Sequence, residues 1–234
     1  PLRSSAASDV YKRQVVSYKW HDLPPGSGLL DLELGRESEL THYDWITDTT
    51  VHDGSAWAYM KNSKYKTTTD LVHYLIDNVS KNGYMLLNIG PKPDGTIPEE
   101  DKNLLEGIGN WLDVNGEAIF ETETWDQYGE GPTKMNEAGP FSDNRAKLIY
   151  TAKDFRFTTK DNFLYATALG WPSKDFTIES IYKLFDNEIE RVELLGSTDK
   201  VEWKHTRDGL HITRPDNKPC EHAYSFKITR KEYL

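Results

Sequence analysis

The chain has 234 residues, of which 37% are hydrophobic and 28% charged, as is usual for a globular protein with one or two hydrophobic cores. Its net charge of −10, without a basic cluster, removes the electrostatic basis for binding nucleic acid or an anionic membrane. Its single cysteine, Cys220, excludes an intrachain disulfide and a cysteine-based metal site, and no apolar run is long enough to span a bilayer.

The first 14 residues do not read as part of a domain. They contain neither an initiator methionine nor the apolar segment of a signal peptide. Residues 9–14 (DVYKRQ) resemble the translation of a transposase end sequence used in library preparation. We therefore interpret residues 1–14 as an adapter sequence and expect the natural N-terminus to be missing.

The first half of the chain is predicted to alternate strands with helices. Strands are predicted at residues 15–20, 29–34 and 84–89, the last of them buried, and helices at residues 67–82 and 98–115. Thr67 and Asp70 have the spacing of a capping box, and Gly83 follows the first helix as a stop signal. Pro98 suits the first position of the second helix. This order of elements is typical of an α/β layer or barrel.

From about residue 126 the pattern changes to short strands separated by turn residues. The predicted strands are residues 155–158, 163–169, 176–181, 189–195, 201–205, 210–213 and 223–229. Such a series indicates an antiparallel β-sandwich. The predicted fold class is therefore α/β plus all-β, with an α/β unit over residues 15–125 and a sandwich domain over residues 126–234.

Two carboxylates are candidate catalytic groups. Glu33 (in LLDLELG) lies near the end of a predicted strand, where side chains of a parallel barrel face the active site. There it could donate a proton to a leaving oxygen, or it could be a surface carboxylate or the partner of Arg36. Asp48 (in WITDTT) could orient a sugar hydroxyl or a catalytic group, or could cap a turn.

Trp57 is a candidate sugar-binding residue, because it lies in a loop-like segment (SAWAY) rich in small residues. Its ring could stack on a sugar or anchor the core. The histidines lack the spacing of metal ligands, and neither a nucleophile elbow nor a phosphate loop is present. The sequence therefore predicts no metal or organic cofactor.

Several motifs in the same order resemble those of family-29 glycoside hydrolases, the retaining α-L-fucosidases. Residues 78–98 (NVSKNGYMLLNIGPKPDGTIP) are similar to the motif V-S-K-x-G-N-L-L-L-N-x-G-P-x-x-D-G-T-I-P, and residues 111–120 (WLDVNGEAIF) to W-L-x-x-N-G-E-A-I-Y. Residues 45–50 resemble W-Q-T-D-T-S, and residues 55–59 the S-W-G-Y region. The resemblance implies that residues 15–125 are the C-terminal part of a (β/α)8-like barrel, followed by the sandwich.

The resemblance also implies roles for single residues. Glu33, twelve positions before Trp45, occupies the place of the acid/base glutamate, and Asp48 matches a position that supports catalysis. The family's aspartate nucleophile lies upstream of the matched region, so no residue of this chain is assigned to it. The implied partner is a fucosylated oligosaccharide or glycoconjugate, and the implied compartment is secreted, periplasmic or lysosomal. The oligomeric state stays open.

The chain departs from the family motifs at several positions. Tyr84 replaces the usual asparagine and is predicted to reshape the wall of the substrate pocket; Ala58 replaces a glycine, and Leu34 an arginine beside the acid. A related sugar hydrolase of altered specificity and a non-catalytic carbohydrate-binding or structural fragment therefore remain alternatives. Asn88 is predicted to end a barrel strand and to brace the loop that follows it.

Overall fold

The computed structural model describes residues 15–20, 22–24, 26–54, 56–144 and 147–231. The predicted adapter at residues 1–14 and Ser55 of the SAWAY segment lie outside this part. The first half contains β1 (Ser17–Tyr18), β2 (Leu29–Asp31), β3 (Trp45–Thr50), α1 (Thr68–Ser80), β4 (Gly83–Asn88) and α2 (Glu99–Asn115). The second half contains β5 (Glu123–Glu130), β6 (Phe155–Lys160), β7 (Phe163–Ala168), β8 (Phe176–Ile178), β9 (Ile189–Leu194), β10 (Trp203–Thr206), β11 (Gly209–Ile212) and β12 (Tyr224–Arg230).

Strands β1 to β4 form a parallel sheet in chain order. Helix α1 covers one face, where the buried Thr47 hydroxyl lies 2.9 Å from the hydroxyl of Tyr74. The other face is open, and Tyr84 and Leu86 of β4 are 52% and 59% exposed there. The prediction of a buried strand at residues 84–89 is therefore wrong, because a parallel strand is buried only when both faces of its sheet are covered.

The capping box predicted for α1 is present. The Thr67 hydroxyl accepts a hydrogen bond from the backbone N–H of Asp70, whose carboxylate accepts one from the backbone N–H of Thr67. The predicted stop at Gly83 is wrong by one residue, since Asn82 adopts the left-handed conformation with φ 71°. Gly83 instead begins β4, where a Cβ atom would lie 2.4 Å from the Trp45 ring.

Helix α2 begins one residue later than predicted, with Pro98 as its N-cap. Leu104, Ile108 and Trp111 form its buried face. Asp101 in its first turn is also buried, and its carboxylate accepts the backbone N–H of Gly90 at 2.9 Å. Neither this helix nor any other in the described part of the chain is long and apolar enough to cross a membrane.

The second half forms a β-sandwich of two antiparallel sheets, in the orders β5-β6-β7-β12-β9 and β10-β11-β8. The core contains buried apolar side chains from both sheets, including Phe157, Phe226 and Leu210. Strand β5 was not predicted from the sequence, and it crosses the predicted domain boundary at residues 125/126; that boundary stays a prediction. The predicted fold class, α/β followed by an antiparallel sandwich, is confirmed.

A buried ionic cluster joins the two units, and we call it the Asp77 cluster. Asp77 of α1 is fully buried; Arg156 of β6 donates to its carboxylate at 2.6 Å, and Lys81 at 2.9 Å. Arg36 lies 3.7 Å from the same carboxylate. Burial alone would raise the pKa of Asp77, but the three positive charges outweigh it and hold the pKa well below its usual range.

Candidate functional site

Four charged side chains converge where the parallel strands end, and we call them the carboxylate cluster: Lys19, Asp31, Glu33 and Asp48. The ammonium group of Lys19, just after β1, lies 2.7 Å from the Glu33 carboxylate, 3.5 Å from Asp48 and 3.6 Å from Asp31. The strands are parallel, so their carboxyl ends meet at one edge of the sheet. Residues far apart in sequence are thereby brought within contact of one ammonium group.

Side chains along β2 and the residues that follow it alternate between the two faces of the sheet, and this places Asp31 and Glu33 on the same face. Leu32 and Leu34 are buried, whereas Asp31 and Glu33 are half-buried, as expected for side chains that point to opposite faces. The backbone N–H of Leu34 donates to the carbonyl of Asp48 at 2.9 Å, so the chain stays beside β3 beyond the end of β2. Glu33 is therefore held level with Asp48.

The backbone around Glu33 is clamped by the segment between β5 and β6. The N–H of Phe141 donates to the carbonyl of Glu33 at 2.7 Å, and the hydroxyl of Tyr74 donates to the carbonyl of Gly35 at 3.0 Å. A Cβ atom at Gly35 would lie 2.1 Å from the carbonyl oxygen of Gly139, so only glycine fits there. The two halves of the chain thus fix the Glu33 backbone together.

The charges of the cluster act on one another. Burial is the largest cause of the raised pKa of Asp31, which reaches about 6, and the neighbouring Asp48 adds to the rise while Lys19 opposes it. For Lys19, burial lowers the pKa, but its hydrogen bond to Glu33 and the nearby carboxylates outweigh this and raise the pKa overall. Asp31 is therefore a group that titrates near neutral pH beside the catalytic candidates.

Replacing Asp31 with asparagine is expected to remove part of the pH dependence of stability. Because its native pKa of about 6 exceeds the ordinary value of about 4, the folded protein binds more protons than the unfolded chain between these pH values, and stability falls as the pH rises through this range. The Asp31→Asn variant cannot titrate there. Its urea midpoint should exceed that of the wild type at pH 7 and approach it near pH 4.

Asp22, an exposed aspartate in the loop between β1 and β2, offers the matched control. Asp22→Asn should keep the wild-type pH profile. Parallel profiles for wild type and Asp31→Asn would contradict a raised Asp31 pKa.

Asp48 and Trp57 line the same cavity, which has a volume of about 430 Å³ and is bounded by residues 86–89 of β4 and its end. Trp57 is half-buried in the loop after β3. Tyr84 lies on the same sheet face as Asp48, but it pairs with Ile46, two residues before Asp48 in β3. It is not among the described residues that line the cavity. The contact of Tyr84 with substrate stays a prediction.

Asn88 ends β4, as expected, but it braces a different loop from the one predicted. Its amide donates to the carbonyl of Trp57 at 3.0 Å, so it holds the loop after β3 rather than the loop that follows Asn88. The following loop is held instead by Asp101, through the Gly90 N–H. An amide is needed in this strand because an apolar side chain would leave the Trp57 carbonyl without its donor.

We expect Asn88→Leu to lower the free energy of unfolding by about 1 kcal/mol, the usual net value of one hydrogen bond. Amide hydrogen exchange should also speed up in residues 56–60, because the loop loses its anchor. Asn103→Leu, on the exposed side of α2, should change neither quantity. Unaltered exchange in the Asn88→Leu variant would refute the bracing role.

Sequence reasoning missed two members of the carboxylate cluster. Asp31 carries a signal that was present in the sequence, because it lies two residues before Glu33 and therefore on the same face. Lys19 lies within the strand predicted over residues 15–20, but its neighbours became evident only when the strand order was known. Arg36 does not take the place of the family arginine that Leu34 replaces. It pairs with Asp143 at 3.1 Å and also lies beside Asp77, away from Glu33.

Comparison with known proteins covers most of the chain. Residues 5–117 match the family model described as alpha-L-fucosidase, and residues 147–229 match the alpha-L-fucosidase C-terminal domain. A plasma alpha-L-fucosidase from Pongo abelii is 31% identical over 198 residues, which are 81% of this chain and 38% of that protein. A tissue alpha-L-fucosidase from Rattus norvegicus is 29% identical, over 83% of this chain and 39% of its own length.

Solved structures agree with the sequence comparison. An alpha-L-fucosidase structure superposes with a TM-score of 0.74 at 25% identity, over 98% of this chain and 48% of that one. The alpha-fucosidase of Thermotoga maritima in complex with fucose gives a TM-score of 0.67 at 25% identity, over 94% and 46% of the two chains. The chain thus spans about two fifths of the curated relatives named above and just under half of each solved structure.

Proposed function

Because the chain belongs to the alpha-L-fucosidase family, glycoside hydrolase family 29, we propose that it forms part of a retaining enzyme that releases terminal L-fucose from glycans. In this proposal the α/β unit is the C-terminal part of the catalytic barrel. The observation that carries the proposal is the carboxylate cluster, which lies at the carboxyl ends of the parallel strands, with Asp48 also lining a cavity beside Trp57.

Glu33 is the acid/base in this mechanism. Its side chain is 27% exposed, so a glycosidic oxygen can reach it. It gives a proton to that oxygen as the leaving group departs, and in the second step takes a proton from the attacking water. Asp48 supports the reaction from β3, and Lys19 fixes the Glu33 carboxylate through their ion pair.

The nucleophile is proposed to come from outside this chain, from the part of the relatives that it does not match. A retaining mechanism needs that second carboxylate about 5 Å from the acid/base group. The substrate is proposed to be a fucosylated oligosaccharide or glycoconjugate, with Trp57 stacking on a sugar ring. The Thermotoga maritima structure solved in complex with fucose supports this ligand class.

The proposal is tested by fusing residues 15–231 to the upstream part of the Thermotoga maritima enzyme. Hydrolysis of 4-nitrophenyl α-L-fucoside is followed by optical absorbance, and proton NMR records the anomer released first. We expect fucose of retained configuration from the fusion and no turnover from the chain alone. An inverted product would contradict the mechanism, and turnover by the chain alone would place a nucleophile within it, at Asp31 or Asp48.

A second candidate function is non-catalytic: a carbohydrate-binding or structural fragment. The open sheet face, with Tyr84 and Leu86 exposed, favours it for the chain by itself. Fucose binding without turnover in the fusion would support this candidate. Turnover of another glycoside in place of the fucoside would instead support altered specificity, which the substitution at Tyr84 keeps open.

A further inference from the structure

A larger cavity, of about 850 Å³, opens at one end of the β-sandwich. It is bounded by β5, by the β6–β7 turn, by the end of β12 and by the segment from Ser180 to Ile189. Among the described residues, its lining shares no member with the carboxylate cluster or with the cavity of Asp48 and Trp57. Its size is within the range of cavities that enclose small-molecule ligands.

Aromatic and aliphatic side chains form one wall of this cavity. Tyr182, Leu184 and Phe185 are 50%, 67% and 65% exposed, an unusual density of large apolar groups in a four-residue stretch. Trp125 faces them from β5, and its ring is fixed edge-on against the core residue Phe157 with 5.0 Å between ring centroids. The cavity therefore presents flat apolar surfaces to solvent.

The exposed wall is held in place by hydrogen bonds. The Glu188 carboxylate accepts the backbone N–H groups of Leu184 and Phe185, the first at 3.1 Å. The N–H of Lys183 donates to the carbonyl of Thr206 at 2.8 Å. These bonds fix the backbone of the turn that carries the apolar side chains. The side chains of Tyr182, Leu184 and Phe185 are therefore held at the surface instead of folding onto the sandwich.

A large bulge in β5 supplies the opposite wall. Thr124 pairs with Thr158 and Gly129 with Arg156, so four residues of β5 lie opposite a single residue of β6. Bulges re-aim side chains, and this one turns Asp126 and Gln127 out to solvent at the cavity.

The segment across the cavity is fastened to this bulge. The Ser180 hydroxyl donates to the Gln127 side chain at 2.9 Å, and the backbone N–H groups of Glu179 and Ser180 donate to Glu130. Both walls are therefore fixed relative to each other before any ligand enters.

Planar polar groups complete the lining. Asp126, Asn162 and Arg230 offer a carboxylate, an amide and a guanidinium, and within the described part of the chain the buried Nε of Arg230 has no hydrogen-bond partner. Three carboxylates (Asp126, Asp161, Glu188) stand against two cations (Arg230, Lys231), so the cavity carries little net charge. A cavity with so little net charge does not favour a strongly anionic or a strongly cationic ligand.

We propose that this cavity binds a neutral oligosaccharide. A sugar ring has an apolar C–H face, which packs on an aromatic ring, and pairs of neighbouring hydroxyl groups, which bond to planar carboxylate, amide and guanidinium groups. The cavity provides both kinds of surface. Its volume accommodates several sugar rings, so affinity rises from a monosaccharide to a trisaccharide.

The proposal goes beyond the proposed fucosidase function, because the cavity uses neither Glu33 nor Trp57. In a fucosidase it would hold the glycan that carries the fucose. An apolar peptide would fill the aromatic wall but would leave the Nε of Arg230 without a hydrogen-bond partner. The sugar is therefore the favoured occupant, because a buried polar group without a partner costs free energy.

The test titrates the full chain with 2′-fucosyllactose, lactose and methyl α-L-fucoside up to about 10 mM, a range in which weak binding still registers. Isothermal calorimetry gives affinities, and two-dimensional amide NMR locates the binding site. We expect the trisaccharide to bind more tightly than the monosaccharide and to shift the Trp125 indole signal. Phe185→Ala should weaken binding at least tenfold, and Tyr182→Ala should also weaken it.

Phe120→Ala is the matched control, since Phe120 is 58% exposed and is not among the cavity's lining residues. It should leave binding and the thermal midpoint unchanged, and circular dichroism checks that Phe185→Ala keeps the fold. Three results would each overturn the proposal: no shift with any sugar, sugar binding lost in Trp57→Ala but kept in Phe185→Ala, or binding of the apolar dye ANS in this cavity without binding of any sugar. Because a fucosidase assay is not involved, an inactive fusion leaves this test unaffected.

Discussion

Glu33→Ala is expected to lower kcat for fucoside hydrolysis by about 10² to 10⁴, the usual contribution of a general acid or base. The effect should be largest for substrates with poor leaving groups, since these depend most on protonation of the departing oxygen. The variant is made in the fusion that supplies the upstream region, and kcat is compared for an activated nitrophenyl fucoside and a natural disaccharide.

Azide gives this prediction a chemical check. A small anion fits the space left by the missing side chain and attacks the glycosyl-enzyme intermediate without base assistance. Azide should therefore raise the rate of the Glu33→Ala variant and yield a fucosyl azide. The matched control is Glu39→Ala, which removes an exposed glutamate from the loop after β2 and should keep wild-type activity. Wild-type kcat in Glu33→Ala would remove Glu33 from the mechanism.

Asp77→Ala should lower the free energy of unfolding by about 3–5 kcal/mol, because it leaves buried positive charges without their counterion. Lys81 and Arg156 would lose contacts of 2.9 and 2.6 Å to the carboxylate. A loss of this size is a large share of the 5–15 kcal/mol by which proteins are normally stable. Urea unfolding followed by circular dichroism measures it.

The pH dependence of this stabilisation follows from the depressed native pKa of Asp77. The stabilisation is fully present above the unfolded pKa of about 4 and is lost as the pH falls through the lower native value. The difference between wild type and Asp77→Ala should therefore be constant from pH 5 to 8 and shrink in strong acid.

Two further variants separate the buried cluster from ordinary surface pairs. In the Asp77→Ala, Arg156→Met double variant, the loss should be smaller than the sum of the two single losses, because each single change strands the other partner. Glu106→Gln removes an exposed partner of Lys102 in α2 and should not shift the urea midpoint. Additive losses in the cycle would mean that Asp77 and Arg156 act independently.

The Asp77 cluster also connects stability to the site. Arg36, three residues after Glu33, contacts both Asp77 and Asp143, and the segment with Asp143 clamps the turn around Glu33. Further hydrogen bonds reinforce the same interface, such as that from the Trp111 indole to the carbonyl of Ala223 at 2.9 Å. The second half of the chain therefore holds the backbone around Glu33 in place, although it contributes no side chain to the carboxylate cluster.

Local sequence signals identified the elements whose stability is local. The helix that begins at the capping box of Thr67 and Asp70, and the strands β6 and β7, are each specified by residues within one element or turn. Strand β3 was missed because two of its three inward side chains, Thr47 and Thr49, are threonines, which are β-branched but polar and break the apolar alternation that Trp45 begins. Strand β5 was missed because its bulge interrupts the two-residue period.

The sequence by itself determined the family, the order of an α/β unit and a sandwich, and the placement of Glu33 at a strand end, because these depend on motifs and periodicities carried by short stretches of chain. Only the tertiary structure decided that Lys19 and Asp31 join Glu33 and Asp48, that Asn88 holds the Trp57 loop, and that Asp77 joins the two units. These contacts depend on strand order and on packing between distant segments, and the energy of a buried charge or amide is set by neighbours that no local pattern specifies.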